Sequence, residues 1–202
     1  INDARAFIKK IKRDAKGAYP KLITKLLINP TKKEVLKAFS NLSHQILPTD
    51  AFVFYAATHG EVTDDRYWLI TKEFSGSLTE DCALTSDEIM ELMKRLPAQR
   101  QVMILDTCHA GAVDWTLADL YQSRLMAFSM GSGIHVLSAA SSFELANEGY
   151  EGHGHFTYFV LKALDGDADA NDDKKITVME MSPYVKLKVE KVTKGAQRPI
   201  TI

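Results

Sequence analysis

Cysteine is scarce in this chain. Its 202 residues include two, Cys82 and Cys108, too few for the disulfide framework that staples small secreted domains. That scarcity points to a reducing compartment, the cytoplasm, and leaves either thiol available for chemistry. Long apolar runs are missing as well. The longest, such as residues 51–57, fall far short of the ~20 residues that a membrane-spanning helix needs. A surplus of charge is also lacking. Lys plus Arg is 25 and Asp plus Glu is 26, a formal net charge of -1. This argues against partners held mainly by nucleic-acid phosphates or an anionic membrane surface. No basic segment followed by an apolar core opens the sequence, so no secretory leader is read there. There is no internal repeat, low-complexity tract or convincing linker.

What remains is an ordinary globular balance, 46% apolar and 25% charged, in a length that suits one domain with a sizeable core. Ala4, Phe7, Ile8, Ile11 and Ala15 recur at helical spacing and predict an opening amphipathic helix. Residues 22–29 form an apolar run ended by Pro30 and read as a strand. Thr31 with Glu34, and Thr85 with Glu88, are capping-box pairs. They predict helices with Val35, Phe39, Leu42 and Ile46 inward in one, and Ile89, Met93 and Leu96 inward in the other. Residues 52–57 and 102–105 read as strands buried on both faces, as central parallel strands do. Further strands are predicted at 67–71 and 134–138. Helices are predicted at 117–126, at 156–164 and from about 177 to 192, the last containing Pro183. Strands thus alternate with helices, which argues for one α/β domain, 1–202, with a mainly parallel sheet covered on both faces.

Ligands of such sheets bind beyond the carboxyl ends of the strands. Two of the predicted central strands lead into reactive residues there, one into His59-Gly60 and the other into Asp106-Thr107-Cys108-His109-Ala110-Gly111. A thiol is only a few per cent ionised at neutral pH, so a neighbouring imidazole is a useful base or ion partner. Alone, His59 would read as a hydrogen-bonded core histidine, and Cys108 as a small buried hydrophobe. Together they read as a nucleophile and its base. The small residues that follow each leave backbone N–H groups, those of Gly60 and Cys108, for holding an oxyanion. Cys82 has no such neighbour and reads as a bystander.

Phe52-Val53-Phe54-Tyr55 leading to His59-Gly60, followed by Ile104-Leu105-Asp106-Thr107-Cys108-His109-Ala110-Gly111, resembles the caspase-like cysteine peptidases, above all the metacaspases and their bacterial relatives. A histidine about 50 residues before the cysteine is the caspase spacing. Asn2-Asp3-Ala4, Val136-Leu137-Ser138-Ala139-Ala140 and Gly154-His155-Phe156-Thr157-Tyr158 extend the likeness over nearly the whole chain. The resemblance implies a three-layer α/β/α fold, with a first strand upstream of residue 1 in a longer polypeptide. It implies a cysteine endopeptidase acting on a protein or peptide substrate, with no cofactor required and with a regulatory domain or partner protein possible. It also implies that Asp106 and Asp3 line the primary pocket and select Arg or Lys at P1. Ser138 and Ala139 are further substrate-binding candidates. By itself Asp3 would read as an acid favouring a helix N-terminus.

Relatives are often cut between the nucleophile strand and the next one. Arg124 is the only basic residue in 112–133, so it is the candidate processing site. Asp169, Asn171, Asp173 and Glu180 fall at positions 1, 3, 5 and 12 of a calcium loop. Lys174 stands where the loop turns on glycine, and an acidic turn with Thr177 and Glu180 capping the last helix is the simpler expectation. His153 and His155 make a weaker metal candidate still. The rival of another class is a catalytically silent scaffold that acts through partner binding; retention of both Cys108 and His59 disfavours it.

Overall fold

A computed structural model of the chain describes residues 1–63, 66–109, 126, 134–139 and 152–202, with the backbone alone at 108 and 109. The elements run α1 (Asn2–Asp14), α2 (Lys32–Ser43), β1 (Ala51–Val62), β2 (Tyr67–Ile70), β3 (Ala83–Thr85), α3 (Ser86–Lys94), β4 (Arg100–His109), β5 (His135–Ser138), α4 (His155–Lys162), a π-helical turn (Ala163–Asp167), α5 (Val178–Val192) and β6 (Ile200–Thr201). The six strands form one sheet in the order β3-β2-β1-β4-β5-β6. Its centre is parallel, β1 beside β4 and β4 beside β5, and the strands outside that centre join antiparallel.

Strand alternation sends successive side chains to opposite faces, and the two faces have separate cores. Phe52, Phe54, Met103 and Leu105 pack with Val35 and Phe39 of α2 and with Ile89 and Met93 of α3. Tyr55, Ile104 and Leu137 pack on the other face with Phe7 of α1, Phe156 and Val160 of α4, and Val185 and Val189 of α5. The chain is therefore a three-layer α/β/α fold, as expected. Helices α2, α3 and α5 each begin at a complete capping box, Thr31–Glu34, Thr85–Glu88 and Thr177–Glu180. Each box satisfies two backbone N–H groups that a helix start leaves open, a gain of about 1 kcal/mol. Helix α5 runs through Pro183.

Two expectations need correction. Residues 22–29 form no strand. No described strand pairs with them, and Leu22, Leu26 and Ile28 remain exposed, so apolar content alone did not make a ladder. The strand at 52–57 does not stop before Thr58 but continues to Val62, because its tail pairs with β2 from Gly60 to Val62. It is also only half-buried, with Val53 44% exposed. Among the described residues no strand pairs with β1 on the β2 side before Gly60. Residues 102–105 lengthen in the same way to Arg100–His109. The predicted helix at 117–126 lies outside the described residues, apart from Met126.

Candidate active site

The parallel pairing of β1 with β4 runs for ten consecutive positions, from Ala51 opposite Arg100 to Gly60 opposite His109. One consequence is that His59 stands directly opposite Cys108. Neighbouring strands lie about 4.8 Å apart, so the backbone delivers these two residues side by side at the carboxyl end of the sheet. His59 is exposed. The two residues do not follow the strands, as the sequence suggested, but lie inside their last turns of ladder, which fixes their relative position more firmly than a loop would.

Gly60 has a steric reason to be glycine. A β-carbon there would fall on the hydroxyl of Tyr67 and within 2.7 Å of its ring. Tyr67 comes from β2, is fully buried, and donates from its hydroxyl to Thr107 Oγ1 at 2.8 Å. It therefore reaches across β1 to β4 through the gap that Gly60 leaves. This strut ties together the strand segments that carry His59 and Cys108. Nothing in the sequence singled out Tyr67, since its contact depends on the register of three strands.

Two positions before Cys108, Asp106 is partly buried. It accepts a hydrogen bond from Thr157 Oγ1 at 2.5 Å. Thr157 in turn lies 2.5 Å from the Tyr55 hydroxyl. The threonine has one proton, which goes to Asp106, so Tyr55 donates to Thr157. Burial pushes the Tyr55 phenol up, with the Asp106 charge second, and the tyrosine keeps its proton. Asp106 is itself raised from 3.8 to about 6, first by burial and further by the nearby charge of Asp3, against the pull of the Thr157 hydrogen bond.

Asp3 arrives from the first turn of α1. That helix is anchored at its other end, where buried Lys10 donates to the Leu164 carbonyl at 2.7 Å and pairs with Asp14 and Asp165. In the middle, Phe7 stacks on Tyr55 with ring centroids 4.4 Å apart. The Asp3 carboxylate then meets the start of α4. One oxygen lies 2.6 Å from His153 Nδ1, and the other accepts a long 3.5 Å contact from the Gly154 N–H. A β-carbon on Gly154 would stand 3.3 Å from Asp106 Oδ2 and 3.7 Å from Asp3 Oδ2. Both carboxylates therefore border one small space, which a side chain at 154 would enter. Gly154 has φ -61° and ψ 145°, a conformation open to any residue, so space rather than backbone freedom explains the glycine. The N-terminal end of α4 faces the same space and favours negative charge there.

The other candidates are placed as follows. Ser138 and Ala139 are buried at the end of β5; Ser138 pairs with Leu105, and the Ala139 N–H donates to the Leu105 carbonyl at 2.8 Å. Arg124 lies outside the described residues. The acidic turn uses its side chains on its own backbone. Asp169 accepts from the N–H groups of Asp173 and Lys174, Asn171 from Asp173, and Asp173 from Lys175. Glu180 accepts from both the N–H and the hydroxyl of Thr177. Among the described residues no group of three or more His, Cys, Asp or Glu is arranged to hold a metal ion. No helix among them is long and apolar enough to cross a membrane. Cys82 is buried among Ser77 and Thr79.

The described residues form a doubly covered sheet with a histidine opposite a cysteine at its carboxyl edge. The sequence profile of the caspase domain, a peptidase family, matches residues 1–202, and this chain belongs to that family. Among solved structures, a protein from Geobacter sulfurreducens shares the fold: it is 15% identical, the match covers 95% of this chain and 80% of that one, and the TM-score is 0.57. No curated protein matches the chain.

Proposed function

We propose that this chain is a cysteine endopeptidase that cuts after Arg or Lys, and that within its family it stands nearest the metacaspases and their bacterial relatives. The observation that carries this reading is the β1–β4 register, which pairs His59 with Cys108 next to a space bordered by Asp106 and Asp3. The Cys108 thiolate attacks the scissile carbonyl, and a carbon–sulfur bond forms. The carbonyl oxygen becomes an oxyanion held by the N–H groups of Gly60 and Cys108. His59 carries the thiol proton to the leaving amine, and the carbon–nitrogen bond breaks. Water then attacks the thioester with His59 as base, the carbon–sulfur bond breaks, and the acid product leaves. None of these steps requires a cofactor.

The P1 cation would sit between the Asp106 and Asp3 carboxylates, where an aspartate would be repelled. Selection at P1 and reaction at Cys108 then come from one strand, two residues apart. Cleavage after Arg124 is the route by which such an enzyme could process itself, and a regulatory domain or partner protein belongs to the same reading.

Turnover of fluorogenic peptides ending in Arg, Lys or Asp tests the proposal. Arg and Lys peptides are expected to be cut, Asp peptides to be left intact, and Cys108→Ala to be inactive. Iodoacetamide is expected to alkylate Cys108 ahead of buried Cys82. Full activity in Cys108→Ala would overturn the catalytic assignment, and efficient cutting after Asp would overturn the pocket.

A further inference from the structure

The acidic space already contains a basic group. His153 Nδ1 lies 2.6 Å from Asp3 Oδ1, and both side chains are largely enclosed, at 24% and 21% exposure. The next residue, Gly154, is the one whose missing side chain leaves room beside both carboxylates. Around that room stand Asp3 from α1, Asp106 from β4, the Tyr55–Thr157 pair from β1 and α4, and His153 itself.

We propose that His153 is a specificity-determining residue, a resident occupant of one Asp3 oxygen that competes with a basic P1 side chain for that carboxylate. This deepens the proposed preference for Arg and Lys and rests on it. The consequence differs between the two cations. A guanidinium binds a carboxylate best through two parallel N–H···O bonds, which need both oxygens. With Oδ1 held by His153, Asp3 offers an arriving Arg only Oδ2, which among the described residues carries the long contact from Gly154. A Lys ammonium is a point charge and needs only one oxygen. His153 therefore suppresses binding of Arg more than binding of Lys, and brings the two substrates closer together.

The test measures KM and kcat for matched P1-Arg and P1-Lys peptides in wild type, His153→Ala, His153→Gln and Asp3→Asn. His153→Ala is expected to lower KM for the Arg peptide about three- to tenfold and for the Lys peptide by less, with the change in KM rather than kcat. His153→Gln keeps a neutral donor on Asp3 and should fall between wild type and alanine, which keeps the inference testable should the alanine variant fold poorly. An unchanged or raised KM for Arg in both His153 variants would overturn the inference, since His153 would then only position Asp3. Asp3→Asn separates the two ideas. Its loss of Arg turnover with no response to His153 overturns the inference alone, whereas unchanged Arg turnover in Asp3→Asn removes the pocket and the inference with it.

Discussion

Replacing Asp106 with asparagine should stabilise the protein while removing the proposed preference for basic substrates. The asparagine has the shape of the aspartate and can still accept the 2.5 Å hydrogen bond from Thr157, so packing is preserved and only the charge is lost. Burial and the neighbouring Asp3 hold the Asp106 carboxyl near 6 in place of 3.8. Below 3.8 the folded and unfolded chains both carry the proton, and the charge costs nothing. Between 3.8 and about 6 the unfolded chain has lost it and the folded chain has not, so stability falls as pH rises. Above about 6 the whole cost is present. At 1.36 kcal/mol per pH unit that cost is about 3 kcal/mol, an upper bound because unfolded chains are themselves partly compact.

Urea unfolding of wild type and Asp106→Asn at pH 4, 5, 6 and 7.5 measures this directly. The variant should match wild type near pH 4 and exceed it by about 3 kcal/mol at pH 7.5, or by roughly 6–12 °C in Tm. Its kcat/KM for a P1-Arg peptide should fall at least about tenfold, the equivalent of 1.4 kcal/mol. A stability gain that does not vary with pH would refute the desolvation argument. A destabilised variant would refute it more strongly, because the charge would then be serving the fold.

Three more outcomes are expected. Gly60→Ala forces a methyl group into Tyr67 and should cost about 1–3 kcal/mol of stability, with activity falling further because His59 is adjacent; Tyr67→Phe, which removes the bond to Thr107, should cost about 1 kcal/mol. Unaltered denaturation and activity in both would show that the strut is idle. Calcium titration by calorimetry should give weak binding or none, since Asp169, Asn171, Asp173 and Glu180 each already accept a bond from the turn or its cap, Glu180 through Oε2 with Oε1 left unpartnered among the described residues. Tight binding abolished by Glu180→Gln would show that those bonds yield readily to the ion.

Local chemistry was legible in the sequence. The three capping boxes stand where Thr and Glu are spaced by three, because the motif is completed within four residues and needs no partner element. The inward faces of α2 and α3 were legible for a similar reason, since helical periodicity repeats within each segment. Residues 22–29 misled because an apolar run becomes a strand only when another strand lies alongside, and that is a property of the assembled sheet. The extension of β1 through His59 and Gly60 escaped for the same reason, being fixed by its neighbours. At the site, His59, Cys108 and the two acids carried recognisable motifs. Tyr55, Gly154 and Thr157 lay inside the motifs of the resemblance but had no role read from them, and Tyr67 lay in none, because each acts through a contact with a residue distant in sequence. His153 drew notice only as a weak metal candidate, and its contact with Asp3 depends on how α1 lies against α4.

The same dependence divides the site into two parts with different physical character. His59 and Cys108 belong to one parallel ladder, and their separation is set by backbone hydrogen bonds. The acidic space has one wall on that ladder, at Asp106, and the other on α1, at Asp3. Asp3 is positioned by side-chain packing: the Phe7–Tyr55 stack and the Lys10 anchor beyond it. A rotation of α1 on the sheet would therefore move one wall of the pocket and leave the register of His59 and Cys108 intact. In the proposed reading, selection of the substrate can drift without loss of the His59–Cys108 pair, whereas that pair cannot shift without breaking the centre of the sheet. That asymmetry accounts, in the same proposed reading, for a partly buried, destabilising carboxylate on β4, two residues from Cys108. There it is held by the paired centre of the sheet, and the other carboxylate comes from the helix.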